Sequence, residues 1–365
     1  MSDNRRRYRS IRQQLKRLYP FEPKGNLARH LNTLAGLISG IVGSNSAHLP
    51  KVAKKVPDHS KKESRVKRFS RWVNNERITF ECYYLPYVQA LLVGLAHRSL
   101  LLAIDGSEMG RGCLTLMVSV IYKKRALPIA WVVVQGSKGH FPEDTHLRLV
   151  EHVHDIVPEG CDVILLGDGE FNGTTMQASV AAYGWEYVCR TAKNALIWED
   201  GDCFSLHEVG VRPGECMALY DVSITHQVYG PLLVIAWWKA EYKEPIYLVT
   251  NMSLLEEACY WYAKRFRIET FFSDQKSRGF HMHKSHISNP ERLSRLMIAT
   301  CLAYIWIVYL GVMAMRDGWV KIIHRTDRCD LSLFQLGLDL LEHLLNEHLP
   351  ILVAFQMPAL AESVR

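Results

Sequence analysis

Residues 255–280 read LEEACYWYAKRFRIETFFSDQKSRGF, and the rest of the chain is interpreted outward from them. Leu, Glu and Ala are strong helix formers, and no Pro or Gly interrupts the stretch before Gly279, so we expect one continuous helix that ends there. Four polar residues recur along it at intervals of three, four and seven positions: Tyr262, Arg265, Glu269 and Lys276. At about 100° per residue these positions lie within roughly 60° of one another on an α-helix. The stretch therefore predicts a helix with one polar stripe.

A polar stripe of this kind has two interpretations. Arg265 and Glu269, four residues apart, are also what an ordinary solvated helix face with ion pairs contains. The complete spacing, Tyr-x2-Arg-x3-Glu-x6-Lys, resembles at every position the signature of the insertion sequence four family of DDE transposases. In that family the helix brings the last of three catalytic carboxylates to a ribonuclease-H-like active site. The resemblance therefore implies that Glu269 is a catalytic glutamate and that two catalytic aspartates stand at strand ends.

The pattern changes to strands at residue 99. Three apolar runs follow, SLLLAIDGS, CLTLMVSVIY and ALPIAWVVVQ, and the short basic link between the second and third predicts an antiparallel pair. Next come a helix at PEDTHLRLVEHVHDIV, a strand at DVILLGDGEF, a helix at NGTTMQASVAAYG and a strand at WEYVCRTA. This order of elements is ribonuclease-H-like, which is also the core that the family resemblance implies.

Two aspartates follow apolar strand runs in this core. Asp105 ends the run SLLLAID, and Asp168 ends the run DVILLGD. An aspartate before glycine is by itself commonly a turn or cap residue, but the resemblance implies that these are the first and second catalytic aspartates. The family often has an Arg soon after the second aspartate, whereas Gly-Glu-Phe follows here. Glu108 and Glu170 are therefore alternative carboxylates for the site.

Three carboxylates gathered at one sheet edge repel one another unless a divalent cation neutralises them. The predicted metal ligands are therefore also the predicted catalytic residues: Asp105, Asp168 and Glu269. Hard oxygen ligands favour Mg²⁺, with Mn²⁺ as a substitute, over zinc. Two such ions activate a water or a 3′-hydroxyl and stabilise the leaving oxygen in an in-line attack on a phosphodiester. We therefore expect two Mg²⁺ per active site.

The basic charge of the chain is concentrated at its N-terminus. Residues 1–77 contain 19 Lys and Arg against 5 Asp and Glu, whereas the remaining 288 residues contain 25 against 32. Such a basic N-terminal region indicates a polyanionic partner, and we expect this partner to be double-stranded DNA. In KVAKKVPDHSKKESRVKRFSRWVNN the candidates for phosphate contacts are Lys67, Arg68 and Arg71. Part of this stretch is equally well explained as a solvated linker.

Further DNA contacts are expected in the polar stripe and in the strand-rich stretch before it. Arg265 suits bidentate binding of phosphate, Lys276 supplies a point charge, and Tyr262 suits a hydrogen bond to the cleaved end. The alternative for Lys276 is an ordinary surface lysine. Trp237 and Trp238 are adjacent, and on a strand only one of them faces inward, so we expect one in the core. The resemblance to hairpin-forming relatives implies that the other stacks on an extruded base.

Other metal-binding residue types give weaker signals. His281, His283 and His286 follow Gly279, but a DNA backbone contact by this loop, which also contains Lys284, explains them as well as a metal site does. The nine cysteines contain no C-x2-C pair, so they indicate neither a zinc module nor a secreted disulfide framework. The N-terminal MSDNRRRYRS lacks an apolar signal region. We expect reduced thiols in a bacterial cytoplasm, with the protein on the nucleoid when it is bound to DNA.

Residues 296–315, LMIATCLAYIWIVYLGVMAM, form a run of twenty without a charge. The run is long enough to cross a bilayer, so a membrane-associated protein is one interpretation. It is single, it directly follows the polar helix, and a helix buried across the back of a sheet is apolar on all sides too. We therefore expect a buried helix and no membrane partner.

Length and composition complete the expectation. With 365 residues and 48% hydrophobic content, the chain can form two or three modules with sizeable cores. We expect an α/β protein with these regions: a helical basic DNA-binding region at 1–98, the first part of a ribonuclease-H-like core at 99–191, a β-strand-rich insertion at 192–252, the second part of the core at 253–316 and a C-terminal helical region at 317–365.

The resemblance implies the function. A transposase of this family binds the terminal inverted repeats of an insertion sequence, cleaves DNA at each end and joins the freed ends to target DNA. Family members work as a synapsed dimer, so we expect a homodimer in the DNA complex. The alternative is a transposase-derived DNA-binding protein that has lost catalysis.

Overall fold

The N-terminal part of the chain is helical up to Leu95. The computed structural model describes residues 2–136, 141–325 and 329–358. Its first helices are α1 (Asp3–Leu18), α2 (Gly25–Ser44), α3 (Leu49–Lys54), α4 (Lys62–Asn74), α5 (Phe80–Tyr83) and α6 (Leu85–Leu95). Pro86 lies in the first turn of α6. Backbone N–H groups in a first turn have no partner within the helix, so a proline there costs no helical hydrogen bond. Residues 80–95 form two short helices, α5 and α6.

A single mixed sheet follows the N-terminal helices. Its strands are β1 (Leu100–Glu108), β2 (Cys113–Tyr122), β3 (Arg125–Gln135), β4 (Val163–Gly167), β5 (Glu186–Thr191), β6 (Leu196–Glu199), β7 (Asp202–Ser205), β8 (Cys216–Ile224), β9 (Tyr229–Trp237) and β10 (Ile246–Thr250). Their order is β3-β2-β1-β4-β5-β10-β9-β8-β6-β7. β1 runs antiparallel to β2 and parallel to β4, and β4 runs parallel to β5. Every residue of β4 is buried, as expected for a central strand of a parallel pair.

Two helices make the parallel crossovers. They are α7 (Glu143–Ile156), between β3 and β4, and α8 (Thr174–Ala182), between β4 and β5. α7 begins directly after Pro142 and has two acidic residues in its first turn. Their negative charges interact favourably with the positive end of the helix dipole and stabilise the helix. The strands and helices predicted between residues 99 and 191 are therefore present in the predicted order.

The strand-rich insertion is also present, but it does not form a sheet of its own. β10 pairs antiparallel with β5, so the strands β6 to β10 extend the sheet that β1 to β5 begin. This pairing satisfies the backbone groups along the free side of β5, which would otherwise be an open edge.

The expectation of one continuous helix over residues 255–280 is wrong. The structure contains α9 (Leu255–Tyr262), a tight turn at 263–266, α10 (Arg267–Ser273) and a π-helical turn, Asp274–Arg278. In the tight turn, backbone N–H groups bond to carbonyls three residues back, as in a 3₁₀ helix. α9 packs on β5, whereas α10 packs on β3, β1 and β2. Because these strands lie in different parts of the sheet, the chain bends between the two helices.

Three helices complete the described chain: α11 (Pro290–Arg316), α12 (Val320–Ile323) and α13 (Leu333–Asn346). α11 is long and apolar enough to span a membrane, but 94% of its most apolar 18-residue stretch is buried inside the protein. It packs against α13, β3, α2 and α4. The expectation of a buried helix is therefore confirmed, while the absence of a membrane partner stays a prediction. The division into five regions also stays a prediction, since the buried residues of helices and sheet form one continuous core.

Candidate active site

The parallel pairing of β1 and β4 sets the two predicted aspartates level with each other. Ala103 pairs with Leu166 in the register, and Asp105 and Asp168 each follow two residues later. Residues two apart on a strand project to the same face. β1 does not end at Asp105, because its antiparallel pairing with β2 continues to Glu108. Both aspartates line one open cleft of about 530 Å³.

α10 and the tight turn before it supply the other side of this cleft. Three residues of the predicted stripe line it together with the aspartates: Arg265, Glu269 and Lys276. Glu269 is more than half exposed, whereas the side chains of Arg265 and Asp105 are only 16% and 15% exposed. These three residues of the stripe therefore stay together despite the bend, whereas Tyr262, which precedes the bend, does not line the cleft.

Arg265 joins the two sides of the cleft. Its Nη1 donates to Asp105 Oδ2 at 3.2 Å, and its Nη2 donates to Glu269 Oε1 at 3.0 Å. Burial by itself lowers the pKa of Arg265, but the neighbouring Tyr262 and carboxylates raise it overall. The guanidinium is therefore a permanent cation held between two predicted catalytic carboxylates.

The two aspartates are held in different ways. Burial raises the pKa of Asp105 to about 6; Arg265 opposes this increase and Asp168 adds to it. Asp105 Oδ1 accepts a hydrogen bond from the Gly106 N–H at 2.7 Å. Asp168 Oδ1 accepts from the Glu170 N–H at 3.0 Å and caps the short 3₁₀ turn that follows. The capping interpretation of Asp168 and its place in the cleft are therefore both compatible with the structure.

The two alternative carboxylates do not line the cleft. Glu170 Oε1 accepts a hydrogen bond from the Phe141 N–H and lies 3.3 Å from the ring of the buried His146. These residues line a separate cavity. Glu108 is exposed at the end of β1. The geometry thus favours Asp168 over Glu170 as the second site carboxylate.

Lys276 and Tyr262 are placed differently from each other. Lys276 Nζ donates to Ser107 Oγ at 2.6 Å, and burial lowers the pKa of Lys276 against the opposing effects of Glu108 and Asp105. Lys276 is half-buried in the cleft, so it is not an ordinary surface lysine. Tyr262 does not line the cleft, although Arg265 and Asp168 are near enough to influence its pKa, which burial raises. Ser107, the lysine's partner, was missed in the sequence; it stands two residues after Asp105 on the same strand.

The remaining predicted DNA contacts lie outside this cleft. Trp237 ends β9 and Trp238 follows the strand, so strand alternation does not extend across the pair. Both are half-buried and pack against the core, so the assignment of one to the core and the other to DNA stays a prediction. Three cations are exposed on α4: Lys67, Arg68 and Arg71. Arg68 pairs with Asp58 at 2.5 Å.

A divalent cation fits the chemistry of the cleft but not the present positions of its side chains. Carboxylates are hard oxygen ligands, and the raised pKa of Asp105 means that the buried negative charge there is incompletely balanced. Among the residues that the structure describes, no three His, Cys, Asp or Glu side chains stand close enough together to hold a metal ion. This also holds for the three histidines after Gly279. Arg265 holds one oxygen of Asp105 and one of Glu269, so a cation bound by those two oxygens would compete with the guanidinium.

Comparisons with known proteins identify the family. A similar solved structure is the cryo-EM structure of a piggyBac transposase synaptic complex with hairpin DNA, with 13% sequence identity, a TM-score of 0.46, and coverage of 94% of this chain and 79% of that one. Comparison with curated proteins gives no match. The family model for the transposase DDE domain matches residues 100–306, which include β1, β4, α10 and the whole cleft. Because this match covers more than half of the sequence, the chain belongs to the DDE transposase family.

Proposed function

We propose that this DDE transposase is of the insertion sequence four type and that it cleaves DNA at the terminal inverted repeats of its element and joins the freed ends to target DNA. The observation that carries the proposal is the meeting of Asp105 and Asp168, level on neighbouring parallel strands, with Glu269 from α10 in one cleft. The spacing of Tyr262, Arg265, Glu269 and Lys276 supports the assignment to that type.

The catalytic core is ribonuclease-H-like in this proposal. Five strands in the order β3-β2-β1-β4-β5, with β2 alone antiparallel to its neighbours, support it, as do the crossover helices α7 and α8. Ligands of such open sheets bind beyond the carboxyl ends of the parallel strands. Asp105 and Asp168 both lie at that end of the β1–β4 pair.

Members of the DDE transposase family generally use divalent metal ions, and here Mg²⁺ or Mn²⁺ would be held by Asp105, Asp168 and Glu269. A pair of such ions, when bound, makes an attacking water or 3′-hydroxyl more acidic and stabilises the leaving oxygen of the phosphodiester. The Asp168 carboxylate is already oriented by the Glu170 N–H. The backbone N–H of Gly106 orients Asp105 in the same way.

The cations of the cleft position the DNA. Once Arg265 is released from the carboxylates, its planar fork can bind two oxygens of one phosphate, which is the geometry that suits a guanidinium. Lys276 is held toward the cleft by Ser107 and adds a point charge. Tyr262, which is near Arg265 but does not line the cleft, donates a hydrogen bond from its hydroxyl to the cleaved end. Together these groups favour an anionic backbone next to the carboxylates.

The rest of the chain supplies the binding of DNA ends. The basic region 1–98 contacts the repeats through exposed cations of α4, and its buried aromatic residues Phe69 and Trp72 hold that helix on the core. One of the half-exposed Trp237 and Trp238 stacks on an extruded base. Two chains act together in the synaptic complex, in the bacterial cytoplasm and on the nucleoid when DNA is bound.

The test is cleavage of a supercoiled plasmid that carries the element's own ends. With Mg²⁺, the protein is expected to cut at those ends; with a chelator, or on a plasmid without the ends, it is expected not to. A protein that binds the ends but never cuts them would instead be a transposase-derived DNA-binding protein that has lost catalysis.

A further inference from the structure

A second cleft, of about 380 Å³, lies at the opposite end of β1 from the carboxylates. It is formed by the start of β1, the turn between β2 and β3, and the residues on either side of the tight turn. Five cations line it: Arg98, Lys123, Lys124, Lys264 and Arg267. We call it the basic cleft. None of these five residues is among the predicted site residues.

Within the described part of the chain, the five cations of the basic cleft have no acidic partner. No carboxylate lines the cleft, and none of its five cations is in an ion pair within the described part of the chain. Asp330, which lines an adjoining groove with Arg267, lies 2.8 Å from His324. Burial lowers the pKa of Lys264; a hydrogen bond with Tyr260 opposes this decrease, and the charges of Arg267 and Arg98 add to it. Clustered cations that repel one another without an acidic partner are the electrostatic mark of a site for an anionic ligand.

One of these cations is held in place before any ligand arrives. Lys264 Nζ lies 3.5 Å from the ring centroid of Tyr260 and 3.9 Å from that of Trp261. The two rings meet edge to face at 4.8 Å, and Tyr260 is 59% exposed. A side chain held in one position loses less entropy on binding than a free lysine does. The exposed tyrosine ring also offers a flat apolar surface beside the charges.

We infer that the basic cleft binds the phosphodiester backbone of DNA as a second contact surface, separate from the carboxylate cleft. The inference rests on the proposed function for the nature of the polyanion. Its cations come from three separate segments of chain, which suits an extended ligand with repeated charges. The segment that links the two clefts is continuous: Lys264 and Arg267 line the basic cleft, while Arg265 between them lines the other. DNA seated at the carboxylates can therefore continue along this segment.

The test is the salt dependence of DNA binding in a chelating buffer, which needs no catalysis. The variant is Arg98→Ala with Lys124→Ala, because both side chains are exposed. Its matched control is Arg148→Ala with Lys243→Ala, two exposed cations outside the cleft. Labelled duplexes of scrambled sequence and of the element's terminal repeat are titrated by fluorescence anisotropy over a series of salt concentrations. Lys124→Ala alone serves if the loss of Arg98, which lies over Tyr122, disturbs folding.

The expected result follows from the release of counterions. The slope of log K against log salt concentration is negative, and the loss of two phosphate contacts makes it shallower by about 1.8. The same loss weakens binding roughly 10- to 30-fold near physiological salt. Lys124→Ala alone gives about half of that change in slope. The control pair leaves the slope unchanged. A loss on both duplexes assigns the cleft to DNA of any sequence, target DNA included, whereas a loss on the repeat alone assigns it to the element's end.

Other results would overturn the inference. An unchanged slope in the cleft variant, or an equal change in the control, removes the cleft as a DNA site. If the cleft variant lost affinity for polyglutamate but kept its affinity for DNA, the ligand of the basic cleft would be an acidic protein and not DNA. The binding assay contains no metal and is therefore independent of cleavage. A wild type that binds DNA in it but never cuts the plasmid when Mg²⁺ is supplied contradicts the proposed function only. A wild type that cuts while the cleft variant binds normally contradicts the cleft only.

Discussion

Arg265 and Asp105 are joined across the cleft by a hydrogen bond of 3.2 Å from Nη1 to Oδ2, which ties the turn before α10 to strand β1. The other guanidinium nitrogen bonds Glu269. The protein therefore carries its own counter-charge between two carboxylates that the proposed function assigns to metal. In the proposed function, an ion held by these carboxylates would compete with this arginine, and we call that competition the exchange.

The exchange predicts opposite effects of Arg265→Gln on metal binding and on stability. Without the guanidinium, fewer contacts oppose the entry of a cation, so Mn²⁺ affinity measured by calorimetry without DNA should rise several-fold. In a chelating buffer the same variant should lose about 1–3 kcal/mol of unfolding free energy, because Asp105 is left without its charged partner. Arg265→Lys keeps the positive charge but not the planar guanidinium. Its Mn²⁺ affinity and its unfolding free energy should both lie between those of wild type and Arg265→Gln. A Mn²⁺ affinity that falls in Arg265→Gln would contradict the exchange.

Asp105 predicts how stability depends on pH. Burial raises the pKa of Asp105 from 3.8 to about 6, so the folded protein holds this proton more tightly than the unfolded chain does. The associated stability is fully present below pH 3.8 and is lost as the pH rises through about 6. Relative to Asp105→Asn, which cannot titrate, the metal-free wild type should therefore lose roughly 2–3 kcal/mol between pH 4 and 7. Urea unfolding of both proteins across this range measures the difference, and a difference independent of pH would refute it.

Arg125 and Asp274 form a buried ion pair that fixes the end of the α10 segment to β3. Their side chains are 10% and 6% exposed, and Nη1 lies 2.7 Å from Oδ2. Replacing Asp274 by Asn should reduce the unfolding free energy by about 3–5 kcal/mol, because it leaves a buried unpaired guanidinium. The double variant Arg125→Met with Asp274→Leu should recover most of that loss. A single variant within about 1 kcal/mol of wild type would show that the pair does not stabilise the fold.

Gly337 permits the close packing of α13 on α11. A Cβ atom at this position would lie 1.8 Å from the Ile307 carbonyl oxygen. Gly337→Ala should therefore force the helices apart and lower the melting temperature, at a cost of about 1–3 kcal/mol or more. Gly94 in α6 is the matched control, since the nearest atom to its Cβ would be 4.0 Å away. Gly94→Ala should leave stability unchanged or raise it by up to about 1 kcal/mol. Equal effects of the two substitutions would contradict the close approach.

The parts of the site that the sequence predicts depend on local pattern and on the family signature. The ends of apolar runs indicated that Asp105 and Asp168 lie at one sheet edge, and the resemblance to the family singled them out together with Glu269. Arg265 and Lys276 follow for the same reason. Glu269 and Lys276 both line the cleft even though Lys276 lies within a π-helical turn that interrupts the regular helix.

The parts that the sequence does not predict depend on contacts between distant segments. The bend at 263–266 arises because α9 and α10 pack on different strands, which no feature of the run itself indicates. The pairing of β10 with β5 likewise depends on contacts between segments that are far apart in the sequence. The basic cleft joins Arg98, Lys123 and Lys264 from three separate segments. Periodicity within one segment carries no information about such meetings.

The most direct test of the account compares cleavage by wild type, Glu269→Gln and Asp168→Asn on a supercoiled plasmid that carries the element's ends, with Mg²⁺ present. The amide variants keep the shape of each side chain and remove the charge that would hold metal. The account predicts that wild type cuts at the ends and that both variants bind the ends but lose cleavage by at least about 100-fold. Cleavage by Asp168→Asn at the wild-type rate would contradict the carboxylate assignment on which the account rests.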